Sequence, residues 1–378
     1  MARLILDVQH LLKRPFAGAS ALRLDQRMAG GMSRRRVLLG LGAAAFGGAG
    51  FAGHRLLPTH FSGVGSATAQ DINYFRIGGG GLGSRLYELA GAIAGAVTNP
   101  PGAGECDDKG PCGVPGLVGL AQTTTGSVEN LQSLHDGQIE SAVAQADIAA
   151  LAMAGKAPFK EGTADAELLA MARIGAAQVQ ILVAGGSKAE SIADLKGKKI
   201  GFGPKLRDAA VTGPMVLAAY GITSKRAKFK FDEMQPTIAA LVNGEIDALV
   251  MVDGTPNADI AALRYSADAR LLPIDGKPVE KLIADRPYLK ATTIPGETYR
   301  GIRATATIEV PILWIAANTL DPKLVFELTK ALASQVLAGG DKSPIDFALA
   351  ENTAPLALHP AAKRFYDEHR AENAASTN

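Results

Sequence analysis

Tyr74-Phe75-Arg76-Ile77-Gly78-Gly79-Gly80-Gly81-Leu82-Gly83-Ser84-Arg85 is the stretch from which the fold is read. A β-rich quartet runs into four consecutive glycines and then into an apolar helical pattern over Arg85 to Val97. A glycine run at a strand end lets a ligand approach bare backbone, and the helix that follows offers unpaired N–H groups and the positive end of its dipole. The junction is therefore expected to hold an anion, either a cofactor phosphate or a free carboxylate. Gly78, Gly80 and Gly83 satisfy the G-x-G-x-x-G spacing of a dinucleotide site. The confirming acidic residue is missing: about 20 residues on the chain enters a Pro- and Cys-containing loop, and the next strand ends in Gln122-Thr123-Thr124-Thr125. P-loop chemistry is excluded, because Ser84-Arg85 stands where Lys-Ser/Thr is required.

Outward from this junction, short β-rich runs alternate with helical ones. Strands are predicted over Val118 to Gln122, Ser141 to Ala144, Val179 to Ala184, Lys199 to Phe202, Ala248 to Val252 and Leu271 to Ile274. Helices are predicted over Val128 to Leu134, Ile148 to Ala154, Val216 to Tyr220, Thr237 to Val242, Ala258 to Tyr265 and Lys323 to Leu337. Such alternation argues for an α/β fold. Asp136-Gly137-Gln138-Ile139-Glu140 and Asn243-Gly244-Glu245-Ile246-Asp247 echo each other, each ending a helix and starting a strand, which suggests two similar halves. Gln178 to Gly186 and Arg303 to Ile315 are long and extended; they read either as two hinge strands crossing between lobes or as central strands of one sheet.

Upstream, Ser33-Arg34-Arg35-Arg36-Val37-Leu38-Leu39 precedes a Gly/Ala-rich apolar stretch and Ala67-Thr68-Ala69, the pattern of a twin-arginine export leader cleaved before Gln70. Retention as a short anchor is the alternative. Met32, just ahead of the motif, is a second candidate start. Residues 1 to 69 carry nine Lys/Arg and two Asp/Glu, so removing their +7 from the whole-chain +2 leaves −5. An acidic mature chain without a basic stripe excludes a nucleic-acid partner. Export to the periplasm also makes a disulfide between Cys106 and Cys112 the expected state of the two cysteines, with two free thiols as the alternative. Metal is not expected, because the mature chain holds only His135, His359 and His369 besides these thiols.

Catalytic patterns are scarce. No serine lies in G-x-S-x-G, and the histidines have no nucleophile or paired carboxylate at an identifying spacing. Asp253 ends a strand before Gly254, which suits either a ligand contact or a turn. Thr125-Gly126-Ser127 repeats the logic of the glycine run, a strand end opening a helix, and Ala144-Gln145-Ala146-Asp147 adds a third strand end. Helix capping alone would also explain the hydroxyls.

Ile77 to Gly81, Thr125 to Leu131, Ala144 to Asp147, Ser191 to Lys199, Val252 to Asn257, Thr292 to Gly296 and Leu358 to Ala362 together resemble, in order and spacing, the TAXI family of solute receptors for TRAP transporters. The resemblance spans the mature chain. It implies a two-lobed periplasmic binding protein of the type II fold, α/β with mixed sheets, flanking helices and a two-strand hinge. Residues 70–182 and 305–378 would form lobe I and 183–304 lobe II, behind a leader over 1–69. It implies a monomer without a cofactor that closes on a small anionic solute, such as glutamate or 2-oxoglutarate, and delivers it to membrane permease subunits driven by an ion gradient. Carried onto this chain, Gly80, Gly81, Ser84, Tyr87, Thr125, Gly126, Ser127 and Gln145 would contact solute from the first lobe, and Asp253 and Gly254 from the second. Two other readings stay open: an exported nicotinamide-dependent oxidoreductase using the Gly78 to Gly83 loop, and a receptor feeding a signalling partner.

The chain departs from the family after Gly203-Pro204. Lys205-Leu206-Arg207-Asp208-Ala209 stands where a small Gly-Ser-Gly-Thr-like loop is usual. Arg207 is expected either to clamp an anionic group through bidentate hydrogen bonds or to pair with Asp208 or another acid.

Overall fold

The computed structural model describes residues 72–103, 111–159, 167–340, 343–345 and 347–376. The leader motif, its cleavage site, Met32 and Cys106 lie outside the described residues. Cys112 is half-buried and its Sγ accepts a hydrogen bond from Asn99 Nδ2 at 3.3 Å.

The first half runs β1 (Asn73–Gly78), α1 (Arg85–Val97), β2 (Thr98–Asn99), β3 (Val114–Pro115), β4 (Leu117–Gln122), α2 (Ser127–His135), β5 (Ser141–Gln145) and α3 (Ala146–Met153). A 16-residue strand, β6 (Leu168–Val183), leads into the second half. That half contains β7 (Lys199–Gly201), α4 (Asp208–Ala219), β8 (Lys228–Lys230), α5 (Met234–Val242), β9 (Ala248–Asp253), α6 (Ala258–Ser266), β10 (Arg270–Leu272), α7 (Lys277–Asp285) and β11 (Lys290–Ile294). A 13-residue strand, β12 (Thr305–Ala317), returns, and α8 (Pro322–Gly339) and α9 (Pro360–Ser376) follow it.

These strands form one curled, mixed sheet in the order β3-β2-β4-β1-β5-β12-β6-β9-β7-β8, with β10 on β6 and β11 on β12. The two halves share a topology. β1 lies between parallel β4 and β5, and β7 between parallel β8 and β9; each third strand then pairs antiparallel with one long strand, β5 with β12 and β9 with β6. β6 and β12 pair with each other from Leu168 to Gln178, and β6 passes on to β9 from Gln178 to Leu182. β12 makes the reverse passage, pairing with β11 from Thr305 to Glu309 and with β5 from Ile312 to Ala316.

Side-chain alternation places the cores. On one face Ala142, Ala144, Leu313 and Ile315 pack with Val128 and Leu131 of α2 and with Ile148 of α3. On the other, Val143, Ile312 and Trp314 join Leu86, Leu89 and Ile93 of α1. Trp314 is fully buried, and its indole N–H donates to Ser141 Oγ at 3.0 Å, which ties β12 to β5 while satisfying the polar end of a large apolar side chain. In the second half Leu249 and Met251 point to α6 residues Ile260 and Leu263, whereas Val250 and Val252 point to the main core.

Most predicted elements recur with ends shifted by a few residues, and α1 matches the predicted range. One helix needs correction: the span expected as Val216 to Tyr220 begins at Asp208, so the departing loop is shorter than its sequence suggests and Arg207 is the helix N-cap. Gly213 and Pro214 inside α4 hide its periodicity. The first ten residues of β6 also went unpredicted.

Candidate functional site

The parallel strands of both halves bring their C-terminal ends to one place, the usual location of ligand sites in α/β sheets. From the first half come the glycine loop after β1, the Thr-Gly-Ser loop after β4 and Gln145 at the end of β5. The second half supplies Arg207 at the start of α4 and Asp253 at the end of β9.

Gly78 is required by close approach: a Cβ there would stand 2.8 Å from Asn130 Oδ1 and from Ile139 Cδ1. Ser84 caps α1, its Oγ accepting from Tyr87 N–H at 3.3 Å. Tyr87 itself is half-buried and contributes its backbone to that cap. The Thr125 hydroxyl donates to Glu129 Oε2 at 2.7 Å and its N–H to the same oxygen at 2.8 Å. Ser127 Oγ accepts from Gln145 N–H at 2.9 Å, bracing the end of β5 against α2. The hydroxyls of both loops are thus engaged in building the helix starts.

What the loops leave free toward the second half are backbone donors, and two of these hold carboxylates of the chain itself. Ser127 N–H, at the N-terminus of α2, donates to Asp208 Oδ1 at 2.9 Å. Arg85 N–H, at the N-terminus of α1, donates to Asp253 Oδ1 at 2.8 Å, and Gly254 N–H donates to the same oxygen at 2.8 Å. Each acid thereby gains the helix dipole as well as a hydrogen bond. Gly126 admits Asp208: its φ of +141° suits glycine, and a Cβ there would meet Asp208 Oδ2 at 2.9 Å. A third contact crosses between the halves, Thr212 Oγ1 donating to Asp147 Oδ2 at 2.6 Å.

These acids are buried, at 6 % exposure for Asp208, 5 % for Asp253 and 3 % for Asp147. Burial pushes the Asp208 carboxyl up to about 6; Ser127 resists the rise, neighbouring Asp147 adds to it, and Arg207 opposes it. Asp147 also rises to about 6, chiefly by burial, with the Thr212 hydrogen bond pulling the other way. Asp253 is raised for the same first reason, against the hydrogen bonds from Arg85 and Gly254.

Arg207 is half-buried beside this cluster. Its Nη1 lies 3.4 Å from where a Gly81 Cβ would stand, and among the described residues no carboxylate pairs with it. Gln145 is fully buried; its Oε1 lies 3.3 Å from Thr212 Oγ1, and its Nε2 has no partner among the described residues.

Gly80, Gly81, Ser84, Thr125, Gly126, Arg207 and Asp253 line one small cavity, joined by Asp208, which sequence reasoning had not singled out as a ligand contact. At about 10 Å³ it holds no more than about one water. Ser127 and Gln145 lie behind it, in the hydrogen-bonded layer, and Tyr87 is not among its lining residues. Gly254 faces a different, larger cavity of about 580 Å³ that shares Asp253 and is lined by Arg85, Arg173, Gln178 and Glu309. The Arg85 side chain packs on Gly254, where a Cβ would come within 3.1 Å of Arg85 Cδ. Arg173 and Glu309 meet only through the β6–β12 pairing, 136 residues apart, and no local pattern announces them.

Among the described residues no group of three His, Cys, Asp or Glu could hold a metal ion, and no helix is long and apolar enough to cross a membrane. Solved structures similar to this chain include the periplasmic aliphatic sulphonate binding protein SsuA from Escherichia coli, at 15 % identity over 78 % of each chain with a TM-score of 0.40. The alkanesulfonate-binding protein SsuA from Xanthomonas axonopodis pv. citri, bound to MOPS, is 17 % identical over 75 % of this chain and 84 % of its own, with a TM-score of 0.38. A TctC solute binding protein from Polaromonas is 12 % identical over 78 % of this chain and 98 % of its own, with a TM-score of 0.40. The chain belongs to the NMT1-like family, which it matches over residues 77–369.

Proposed function

We propose that the protein is a periplasmic solute receptor of the TAXI type, capturing a small anionic solute between two lobes and delivering it to the permease subunits of a TRAP transporter. The observation that carries this reading is the pair of carboxylates, Asp208 and Asp253, seated on the N-termini of α2 and α1. The chain itself displays the chemistry: each helix start accepts an anion, and each anion comes from the opposite half. A solute carboxylate would compete for the same N–H groups, with Arg207 as the nearby cation without a carboxylate partner among the described residues. A cavity of about 10 Å³ requires the halves to part before a solute enters. The passages of β6 and β12 between the halves supply two strands about which they could swing, giving lobes over 70–182 with 305–378 and over 183–304.

Delivery outside the cytoplasm follows from the twin-arginine pattern, and a Cys106–Cys112 disulfide belongs with that compartment.

A thermal-shift screen of the mature chain against carboxylates, amino acids, keto acids and sulfonates tests the reading. A tight solute raises the melting temperature by mass action, by about 2.7 kcal/mol of added stability at a hundredfold excess over Kd. The expected result is a rise with one group of small carboxylates and no turnover of them. A response to nicotinamide dinucleotides and to no small anion would overturn it.

A further inference from the structure

The larger cavity beside the cleft has the volume of a ligand site, about 580 Å³, and it rests on the two long strands where they pass between the halves. Its floor carries a group that the proposed anion site does not use. Arg173 is 4 % exposed; its Nη2 donates to Glu309 Oε1 at 2.5 Å, while its Nη1 is buried with no hydrogen-bond partner among the described residues. That nitrogen is enclosed behind the cavity wall, so Arg173 serves the cavity by fixing Glu309, whose partly exposed carboxylate is left to accept from a ligand. Gln178 is the register partner of Glu309, and its Oε1 accepts from Thr255 Oγ1 at 3.1 Å, leaving the Nε2 amide as the donor of that side chain.

The other polar groups of the cavity are already committed. Arg85 Nη1 bonds Glu88 at 2.8 Å and Nη2 bonds Pro344 O at 2.5 Å. Asn257 uses its Oδ1 on two backbone N–H groups of α6 and its Nδ2 on Asp253. In charge, two guanidinium groups, Arg85 and Arg173, face three carboxylates, Glu88, Glu309 and Asp253, so the lining has one negative charge in excess. That balance disfavours a net anion. It suits an uncharged ligand with an oxygen that accepts from Gln178 Nε2 and with O–H groups that donate to Glu309, which Arg173 holds in place. Hydroxyls do both, and Pro256 and Leu349 in the same lining offer apolar surface to the carbon side of such a molecule.

We propose that this cavity is a second binding site, separate from the anion-taking cleft, for a neutral polyhydroxyl ligand of monosaccharide size, recognised by the Arg173–Glu309 pair and Gln178. The test is a calorimetric titration of the mature chain with glucose and with myo-inositol, with succinate as the anionic arm. It is repeated on Gln178→Ala, Arg173→Lys and the double variant Arg173→Gln/Glu309→Gln, which leaves no unpaired buried charge; melting curves verify that each is folded. The expected result is binding of at least one polyol, weakened about tenfold or more by the double variant, while the carboxylate response of the thermal-shift screen persists in it. Persistence of that response with no polyol binding to the parent chain overturns the second site alone. Polyol binding indifferent to Arg173 and Glu309 overturns it too, and a site that takes succinate through Arg173 but no polyol overturns the assignment of a neutral ligand. Loss of the carboxylate response in the parent chain instead counts against the receptor reading.

Discussion

Asp147 shows what burial does to one side chain at this site. An unfolded aspartate ionises near its ordinary value of 3.8, whereas the folded one is pushed up to about 6. Between those values the folded chain holds a proton that the unfolded chain has lost, so stability falls as pH rises from about 4 to about 6 and stays lowered above. The difference corresponds to on the order of 3 kcal/mol against the ionised form. Asp208 adds to the loss in the same window and direction. Asp147→Asn, which keeps an oxygen to accept from Thr212, is therefore expected to raise the melting temperature by several degrees at pH 7.5 and by much less at pH 4.5. Unfolding curves at the two pH values check this, and a lowered melting temperature at pH 7.5 would contradict it. Individual residues were legible where their role is local: Asp253 could be read from its neighbours as a strand-end carboxylate, whereas Ser84, expected as a solute contact, is the cap of α1. Asp208 could not be read as an anion on α2, because its partner Ser127 is 81 residues away and the contact exists only once both halves are folded.

Among the elements, α1 was readable to its ends because a serine cap precedes an unbroken apolar period, with Leu86, Leu89, Ala90, Ile93 and Val97 on the buried side. The start of α4 was hidden by Gly213 and Pro214, and the first part of β6, Leu-Leu-Ala-Met-Ala-Arg-Ile-Gly-Ala-Ala, lacks both alternation and turn residues. A strand buried on both faces shows no period of two. The α2 start makes the sharpest element-scale prediction. Gly126 combines φ of +141° and ψ of −157°, a region essentially reserved for glycine, with the close approach of Asp208. Gly126→Ala is expected to cost about 1–3 kcal/mol in backbone strain and to break the Ser127–Asp208 hydrogen bond. A lower melting temperature with faster hydrogen exchange at the Ser127 amide is the expected outcome; unchanged exchange would show that α2 does not depend on that glycine for its contact with Asp208.

At the scale of the whole molecule, two halves of like topology share one sheet and are joined by β6 and β12, and the halves meet through carboxylates placed on helix starts. The strand alternation made the α/β class legible, and the repeated helix-end turns hinted at two halves. That the larger cavity sits on the crossing strands was not legible: Arg303 to Ile315 stood out as a long extended run, but Arg173 lies in a stretch without a pattern and nothing local pairs it with Glu309, 136 residues away. The account rests on competition: Asp208 occupies a place that a solute carboxylate would take, while Arg207 attracts the solute. The two residues are adjacent, yet their removal should act in opposite directions. Calorimetric titration of the tightest-binding carboxylate from the thermal-shift screen into the parent chain, Arg207→Ala and Asp208→Asn provides the most direct measurement. The account predicts affinity lowered about tenfold or more by Arg207→Ala, the loss of a charged hydrogen bond, and raised by Asp208→Asn; affinity that falls in both variants, or moves in neither, would contradict it.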